Sequence, residues 1–308
     1  MNDTNPEKQR FGFVAVAGAP NAGKSTLINA LVGEKISIVS PKVQTTRTRV
    51  LGIALHKQTQ IVFVDTPGIF KPSKNNRLEK AIVSAAWEGV LDAETLIFIV
   101  DISKKSNAAE LAILEQLKEN RPDHVVLALN KIDKVTRQRL IKISQEYNEA
   151  FDFDATFMIS AMKKDGLKDL LSYLSKKMPE EQWHYPEDHL TDMPMRLIAA
   201  EVTREKLFYK LHHELPYNLT VETESWEEFD NGDLKISQTI FVTQGTHKKI
   251  ILGKNGTMIK QIGQAAREEL SNLWDVKVHL KTFVKVREDW IDDAERYSSW
   301  GLDPNAEI

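Results

Sequence analysis

The chain has 308 residues, of which 42% are hydrophobic and 28% are charged, and its formal net charge is −3. These fractions are typical of a soluble globular protein, and the length suffices for roughly two domains. Its apolar runs are too short to span a bilayer, the N-terminal stretch MNDTNPEKQR lacks an apolar signal core, and the absence of cysteine excludes disulfides and thiolate metal sites. We therefore expect a cytoplasmic protein.

The charge is unevenly distributed along the chain. Up to residue 180 there are 26 basic and 21 acidic residues, whereas the remainder holds 15 basic and 23 acidic ones. Within the acidic part, residues 247–287 carry nine Lys or Arg and three Asp or Glu. Because salt screens charges beyond about 8–10 Å, this local excess matters more at a contact than the charge of the whole region. The stretch favours a nucleic-acid partner.

From residue 11 to about 178, five apolar runs rich in β-branched residues alternate with stretches of helical period. The runs are FGFVAVAG, QIVFVD, TLIFIVD, VVLALN and ATFMIS. Such alternation predicts an α/β fold with a mostly parallel sheet that is covered on both faces. Ligands of these sheets bind at the carboxyl ends of the strands, which is where the motifs described next lie.

The segment GAPNAGKST at 18–26 follows the first apolar run and opens a helix. It fits the phosphate-binding pattern G-x-x-x-x-G-K-[ST], in which backbone N–H groups and the helix N-terminus hold phosphates. Lys24 is expected to reach the β- and γ-phosphates, and Ser25 to bind Mg²⁺. The nucleotide contacts predicted from this loop are Gly18, Asn21, Gly23, Lys24, Ser25 and Thr26.

A threonine-rich basic segment, SPKVQTTRTR at 40–49, follows the first helix. A GTPase needs a mobile threonine in this region that closes on Mg²⁺ and the γ-phosphate. Thr45 and Thr46 both qualify, and we favour Thr46. A solvent-exposed connection without such a role is the alternative interpretation.

The motif DTPG at 65–68 follows the second apolar run. Asp65 can hold Mg²⁺ through water, Thr66 lies in the same turn, and the Gly68 N–H can contact the γ-phosphate. We therefore predict Lys24, Thr46, Asp65 and Gly68 as catalytic residues, and Ser25, Thr46 and Asp65 as the metal site. The next residue is Ile69, where Ras-like enzymes carry a glutamine that orients water, so turnover is expected to be slow.

The segments NKID at 130–133 and SA at 160–161 also follow apolar runs. The carboxylate of Asp133 can accept hydrogen bonds from N1–H and the exocyclic amine of guanine, whereas the N1 lone pair of adenine would repel it. The base contacts predicted from both segments are Asn130, Lys131, Asp133, Ser160 and Ala161. The order and spacing of these motifs indicate a GTP-binding domain at 1–178.

Residues 179–195 contain three prolines and no helical or strand period, which predicts a linker. A second domain is predicted at 196–308. It begins with a helix near 194–211 and continues with strands at about 217–225 and 234–243, a helix at about 256–272 and the strand KVHLKTFVKV.

The segment GKNG at 253–256 has its glycines too close together for a second loop of the first kind. A G-x-x-G turn between apolar IIL and amphipathic TMIKQIGQAAREEL is typical of a KH module, which clamps about four single-stranded nucleotides. Lys254 would add charge, and Ile250–Leu252, Ile259 and Ile262 would line a groove for bases. The predicted RNA contacts are Ile250, Ile251, Leu252, Gly253, Lys254, Asn255, Gly256, Ile259 and Lys260.

This combination resembles the Era family of GTPases over nearly the whole chain, including the stretches KISIVSPKVQTTRTRVLGI, TREKL, ELPY and GTMIKQIG. The resemblance implies a P-loop GTPase domain, followed by an α+β KH domain of type II with a C-terminal tail. It also implies GTP, GDP and Mg²⁺ as ligands, binding near the single-stranded 3′ end of small-subunit ribosomal RNA, and a role in assembling the small ribosomal subunit.

We thus expect a monomeric RNA-binding switch in which GTP orders the loops of Thr46 and of Asp65–Gly68, and hydrolysis releases the RNA. A further hypothesis places K⁺ beside Asn21 and the β- and γ-phosphates. The alternatives are a membrane-associated signalling GTPase whose second domain binds protein, and an RNA chaperone that uses GTP only for stability. Peripheral contact with the inner face of the cell membrane stays open.

Overall fold

The computed structural model describes residues 8–42, 45–47, 49–69, 77–91, 93–104, 108–290, 297, 302–303 and 305–306. Three residues of the threonine-rich segment (Val43, Gln44 and Thr48) and most of the predicted C-terminal tail beyond residue 290 lie outside this range. The chain divides into two compact units. The first comprises Met1–Ser37, Thr46–Asp192 and Ser298–Ile308, and the second Ile38–Thr45 and Met193–Tyr297.

The first unit is built on a six-stranded sheet. Its strands are β1 (Arg10–Ala17), β2 (Val50–His56), β3 (Thr59–Asp65), β4 (Thr95–Asp101), β5 (His124–Asn130) and β6 (Ala155–Ile159). Their order is β2-β3-β1-β4-β5-β6, and every neighbouring pair is parallel except β2 with β3. All residues of β3 and β4 are buried, as the near-continuous apolar runs require. The predicted mostly parallel sheet is confirmed.

Five helices lie among the described residues of this unit. They are α1 (Lys24–Val32), α2 (Arg77–Leu91), α3 (Ala108–Glu119), α4 (Arg137–Ala150) and α5 (Leu167–Lys177). Helix α1 begins directly after Gly23 and ends at Gly33, whose φ of 97° and N–H bond to the Asn29 carbonyl form a left-handed cap. The loop that precedes α1 is therefore held at one end by the largely buried strand β1 and at the other by a capped helix.

The segment predicted as a linker contacts the first unit along residues 179–190. Phe11 donates its N–H to the Pro179 carbonyl at 3.2 Å, and Ile53 donates to the Leu190 carbonyl at 2.8 Å. Residues 179–192 therefore group with the first unit, and residues 38–45 group with the second. The functional domain boundaries stay a prediction, but the packing units differ from them at these places.

The second unit has the element order helix, two strands, two helices and a strand. Its elements are α6 (Met195–Lys210), β7 (Leu219–Glu228), β8 (Leu234–Val242), α7 (Gly245–Leu252), α8 (Thr257–Trp274) and β9 (Val278–Val286). The sheet order is β7-β8-β9, with β7 antiparallel and β9 parallel to β8. This agrees with the predicted α+β KH fold of type II.

The apolar faces of these helices cover one side of the sheet. Leu207 and Phe208 of α6, Ile251 of α7 and Ile262 of α8 pack in one cluster with Ile240. No helix among the described ranges is long and apolar enough to cross a membrane.

Candidate functional site

The loop at 18–26 joins β1 to α1, and its glycines are required by close packing. A Cβ on Gly18 would lie 2.3 Å from the carbonyl oxygen of Ile99. A Cβ on Gly23, whose φ is 108°, would lie 2.3 Å from Nδ2 of Asn130. A side chain at either position would displace the backbone from the surface where phosphates are expected.

Lys24 points back into this loop. Its Nζ donates to the carbonyls of Gly18 and Ala19 at 3.1 and 3.2 Å, and the residue is buried. Burial lowers the pKa of Lys24 to about 8, and the nearby charge of Asp65 opposes that shift. An anion placed beside Nζ would favour the charged form of the amine. The lysine therefore lies where a phosphate would meet both a cation and the backbone of the loop.

Three oxygen-bearing side chains from three segments meet beside the loop. The Oγ of Ser25 lies 3.0 Å from Oγ1 of Thr46, which donates to Oδ2 of Asp65 at 3.4 Å. Burial raises the pKa of Asp65, while hydrogen bonds from Ser25 and Thr46 and the charge of Lys24 oppose the rise. Within the described part of the chain, the buried Oδ1 of Asp65 has no hydrogen-bond partner.

This donor set fits a magnesium ion. Mg²⁺ prefers a few hard oxygen ligands from the protein and takes the others from water and phosphates. The unpartnered carboxylate oxygen of Asp65 is the kind of atom that such a cation would satisfy. Among the described residues, no cluster of three or more His, Cys, Asp or Glu side chains could hold a metal ion. A cation bound here would therefore need the hydroxyls of Ser25 and Thr46 as well as Asp65.

The two candidate threonines are in different surroundings. Oγ1 of Thr45 donates to the carbonyl of Lys42 at 2.7 Å and lies 2.6 Å from Oγ of Ser40, so it bonds within its own turn. Of the two threonines, Thr46 is the one whose hydroxyl lies within hydrogen-bond distance of Ser25. This placement supports Thr46 over Thr45 as the candidate metal ligand.

The DTPG turn lies against the same loop. Oγ1 of Thr66 donates to the carbonyl of Val16 at 2.8 Å, which ties the turn to β1. A Cβ on Gly68 would come within 3.2 Å of Pro20 and 3.4 Å of Nζ of Lys24. The side chain of Ile69 is 4% exposed and packs in the core of the unit, and it has no polar group that could orient water.

The NKID and SA segments follow β5 and β6 and are bonded to one another. Oδ1 of Asn130 accepts from the N–H of Ala161 at 3.0 Å, and its Nδ2 donates to the carbonyl of Ala22 at 2.8 Å. Oγ of Ser160 donates to Asp133 at 2.7 Å. This bond from Ser160 keeps the pKa of Asp133 below its usual value, so the exposed carboxylate stays ionised.

A contact that the sequence analysis did not identify links these segments to the phosphate loop. Nζ of Lys131 donates to Oδ2 of Asp101 at 2.6 Å and to the carbonyl of Asn21 at 3.0 Å. Burial alone would raise the pKa of Asp101, but bonds from Lys131 and Ser103 outweigh it and lower the pKa. Asp101 ends β4 at the carboxyl edge of the sheet, and that position was the signal that could have identified it.

The second loop joins α7 to α8 in the second unit. Gly253, Asn255 and Gly256 have φ values of 69°, 53° and 74°, so three of its four residues adopt left-handed or glycine-type conformations. A Cβ on Gly253 would lie 2.8 Å from Cβ of Met258, whereas one on Gly256 would meet nothing within 4 Å. Lys254 and Asn255 are exposed. The loop therefore presents its backbone and one cation to solvent.

The predicted apolar groove needs a correction. Ile251 and Ile262 are fully buried in the core of the second unit, because they are the residues by which α7 and α8 pack on the sheet. Neither side chain is exposed at the surface of the unit, so neither lines an open groove. Ile250 is 54% exposed, while Leu252 and Ile259 are partly buried. These three, with exposed Lys260, keep their places as candidate RNA contacts.

The first unit thus has the loops of a GTP-binding protein at the carboxyl end of its sheet, and the second has the G-x-x-G turn of a KH domain. A family model described as a 50S ribosome-binding GTPase matches residues 13–131, and one described as a KH domain matches residues 214–291.

Two named relatives match nearly the whole chain. The chain is 52% identical over 301 residues to GTPase Era of Agrobacterium fabrum, covering 98% of this chain and 94% of that one. It is 53% identical over 292 residues to GTPase Era of Mesorhizobium japonicum, covering 95% and 93%. The chain belongs to the Era family of GTPases, and it hydrolyses GTP.

Two solved structures have the same architecture. One is a variant of Aquifex aeolicus Era bound to GDP·AlF4⁻, and the other is Era in complex with MgGDPNP and nucleotides 1506–1542 of 16S ribosomal RNA. Each is 35% identical with a TM-score of 0.90, and each alignment covers 95% of this chain and 99% of the other.

Proposed function

We propose that the chain is a GTP-dependent switch that binds single-stranded RNA near the 3′ end of small-subunit ribosomal RNA and acts in assembly of the small ribosomal subunit. The observation that carries the proposal is the exposed GKNG loop between α7 and α8, on a chain whose other loop is built for a nucleotide. A 35% identical Era was solved with MgGDPNP and an RNA of this class, which supports the same ligands here.

In the nucleotide site, Lys24 would hold the β- and γ-phosphates, and Asp133 would select guanine through its ionised carboxylate. Ser25, Thr46 and Asp65 would hold Mg²⁺, which neutralises phosphate charge when bound. The Gly68 N–H would contact the γ-phosphate, since a Cβ added at this glycine would lie 3.4 Å from Nζ of Lys24. Loss of the γ-phosphate would remove the bonds that hold the loops of Thr46 and Gly68 in place.

Hydrolysis is expected to be slow because the buried Ile69 cannot orient water. We also propose that a potassium ion binds beside Asn21 and supplies positive charge during the reaction. Asn21 has a φ of 64°, and its carbonyl is held by Lys131, so this part of the loop has a fixed backbone. Turnover should be faster in potassium chloride than in sodium chloride at equal ionic strength, and Asn21→Ala should abolish that difference.

RNA binding would use the open loop as a backbone clamp. Glycine at 256 leaves room for a phosphate, Lys254 adds charge, and Ile250 offers an exposed apolar surface to an unstacked base. The KH match favours RNA over protein as the ligand of the second unit, in preference to the signalling alternative. Monomeric state and peripheral membrane contact stay predictions.

The test is to crosslink the full chain to total cellular RNA in the presence of GDPNP or GDP and to sequence the bound RNA. The proposal expects small-subunit ribosomal RNA ends to be enriched with GDPNP and reduced with GDP. A crosslink pattern that is the same with both nucleotides would refute the switch, and one without ribosomal RNA would refute the partner.

A further inference from the structure

A pocket of about 620 Å³ lies in the first unit, at the edge of the sheet opposite the nucleotide loops. Arg10 begins β1, Thr59 begins β3, and the antiparallel strand β2 ends at His56, so the pocket lies at the amino ends of the parallel strands. Strand β1 has eight residues, and each advances the chain by about 3.3 Å, so roughly 20 Å separate the pocket from the loop at 18–26. A nucleotide held by that loop is at the other end of the strand.

The wall of the pocket carries an excess of positive charge. Among the described residues, the ten that line it are all polar or charged. Four are permanent cations (Lys8, Arg10, Lys57 and Lys176), and one, Glu180, is a carboxylate. Sites for apolar molecules are lined mainly by hydrophobic side chains, so this wall excludes an apolar ligand. A concave surface lined by charges of one sign instead concentrates counter-ions.

Two of the four cations share the carboxylate. Nζ of Lys8 lies 2.7 Å from Oε2 of Glu180, and Nη2 of Arg10 lies 3.6 Å from Oε1 of the same side chain. Nη1 of Arg10 also donates to the carbonyl of Met178 at 2.7 Å. Because Glu180 is engaged by these two residues, it leaves the charge of the other two uncompensated.

Lys57 and Lys176 are the uncompensated cations. Both are exposed, and neither has a hydrogen bond or an ion pair to another residue within the described part of the chain. Lys57 has a φ of 54°, a left-handed conformation that glycine or asparagine usually occupies in a hairpin turn. The turn between β2 and β3 thus carries a cation at a position where its backbone favours glycine.

Helix α5 brings the second cation to the same place. Ser172 and Lys176 are four residues apart on α5 and therefore share one face of the helix. Oγ of Ser172 lies 3.5 Å from Nε2 of His56, the residue before Lys57. This contact sets the last turn of α5 beside the turn between β2 and β3. Two free ammonium groups and a serine hydroxyl thereby meet at one pocket.

We propose that this pocket binds a small anion with two or more phosphate groups in series, such as pyrophosphate, while the first site holds its nucleotide. Lys57 and Lys176 each contact a phosphate oxygen, and Ser172 donates its hydroxyl. Lysine is a common point-charge ligand of phosphate. The volume is within the range of about 300–1,000 Å³ that small-molecule sites have, and the cations come from three segments, so a chain of phosphates fits better than a single one.

The experiment uses the full chain loaded with one equivalent of MgGDPNP, so that the first site is occupied up to the γ-phosphate position. Inorganic pyrophosphate is then titrated by calorimetry at fixed free Mg²⁺ and at one stated salt concentration. One equivalent should bind to the wild type. Lys57→Ala and Lys176→Ala should each weaken binding about tenfold, because each removes one charge-assisted contact, and the double variant should show no binding. Failure of pyrophosphate to bind the wild type would overturn the proposal.

The matched control is Lys177→Ala. Lys177 is the next residue of the same helix, but its Nζ lies 5.7 Å from the ring centre of Tyr173 and it does not line the pocket. This variant should bind pyrophosphate as the wild type does. Equal weakening in Lys176→Ala and Lys177→Ala would show a general effect of net charge and would refute the site.

Both substituted lysines are exposed, so the variants should fold, and unchanged GDPNP affinity checks that they do. Lys176→Glu is the second variant at this position, and its carboxylate should abolish pyrophosphate binding. A folded Lys176→Glu variant that binds pyrophosphate as tightly as the wild type would contradict the proposal.

Two further titrations distinguish the source of the anion. Citrate carries three carboxylates, and binding as tight as that of pyrophosphate would mean that the pocket selects charge and not phosphate. Single-stranded RNA offers phosphates along a polymer. If the double variant loses affinity for RNA while the wild type binds no pyrophosphate, the pocket belongs to an RNA-binding surface and the proposal of a small ligand is wrong.

Discussion

In the loop at 18–26, a Cβ on Gly18 or Gly23 would come within 2.3 Å of a neighbouring atom, whereas a Cβ on Gly256 would meet nothing within 4 Å. The cations differ in the same way, since Lys24 is buried and Lys254 is exposed. We therefore expect the first loop to enclose a ligand of fixed length and the second to let a chain pass over it. An enclosed loop suits a nucleotide, because its phosphate chain ends inside the site. An open loop suits RNA, because the polymer continues past the loop in both directions.

The difference has an electrostatic consequence. Charges at the surface are screened by salt over about 8 Å at physiological ionic strength, and buried ones are screened much less. RNA affinity, which depends on exposed cations and released counterions, should therefore fall more steeply with salt than GTP affinity. Each substitution below, apart from the controls, should weaken binding of one of the two ligands and leave the other unaffected.

The largest effect is expected for Lys24→Ala. Two charge-assisted phosphate contacts contribute about 3–6 kcal/mol together, so GTP affinity should fall by about a hundredfold or more. Calorimetry measures GTP affinity, with Lys254→Ala as the control that removes a lysine from the open loop. RNA affinity without nucleotide should stay at the wild-type value in Lys24→Ala. Similar losses of GTP affinity in the two variants would mean that enclosure does not distinguish the loops.

Gly256→Asp should break the RNA clamp. A carboxylate about 4 Å from a phosphate costs about 2–4 kcal/mol at the dielectric of a protein surface, so RNA affinity should fall about a hundredfold. Gly256 is a better site than Gly253, because a Cβ at 253 would lie 2.9 Å from the N of Met258 and disturb α8. Fluorescence anisotropy at one stated salt concentration measures the RNA affinity.

The matched control for this variant is Gly232→Asp. Gly232 also has a positive φ, 81°, and also has nothing within 4 Å of an added Cβ, but it lies in the turn between β7 and β8. If Gly256→Asp binds RNA as tightly as Gly232→Asp does, the GKNG segment is a turn that takes no part in RNA binding.

Asp133→Asn should change base selection. The amide cannot accept from both guanine donors, so GTP affinity should fall by about 1.5–3 kcal/mol, while xanthosine triphosphate, with a carbonyl at C2, should bind better than to the wild type. Competition between the two nucleotides measures the change. Equal wild-type affinity for ATP and GTP would contradict the role of Asp133.

Local patterns predicted the strands that precede the nucleotide motifs, β1, β3, β5 and β6, because an apolar run marks each of them without reference to distant residues. Strand β2 was not predicted. Its turn to β3 contains Lys57 with a φ of 54°, where the usual hairpin signal is glycine or asparagine. Its antiparallel pairing at the edge of the sheet left no alternation of strand and helix to detect.

The remaining misses depend on contacts distant in sequence. The position of the sheet decides which isoleucines of α7 and α8 face the core. The spacing of residues in the sequence therefore could not distinguish the buried Ile251 and Ile262 from residues of an exposed groove. The bond from Val39 to Glu205 spans 166 residues, and that between Lys131 and Asp101 joins two strand ends. No local periodicity reports such pairs.

The enclosed lysine should also couple nucleotide binding to protons. Burial lowers the pKa of Lys24 to about 8, below the ordinary value of 10.5. Between these values the unfolded chain holds more protons on this group, so its contribution to the free energy of unfolding of the nucleotide-free protein rises with pH. A bound polyphosphate favours the charged amine, so binding above pH 8 should take up a proton.

Calorimetry of GDP binding at pH 8.5, in buffers of different ionisation enthalpy, measures that uptake. A pKa of about 8 leaves roughly three quarters of the amines neutral at pH 8.5, so GDP affinity should fall about fourfold from pH 7. Lys24→Arg is the control, because arginine stays charged throughout this range and should bind GDP without proton uptake. If the wild type takes up no proton at pH 8.5, the amine of Lys24 is already charged before the nucleotide arrives. Its burial would then not weaken the charge, and the contrast with the open loop would lie in shape alone.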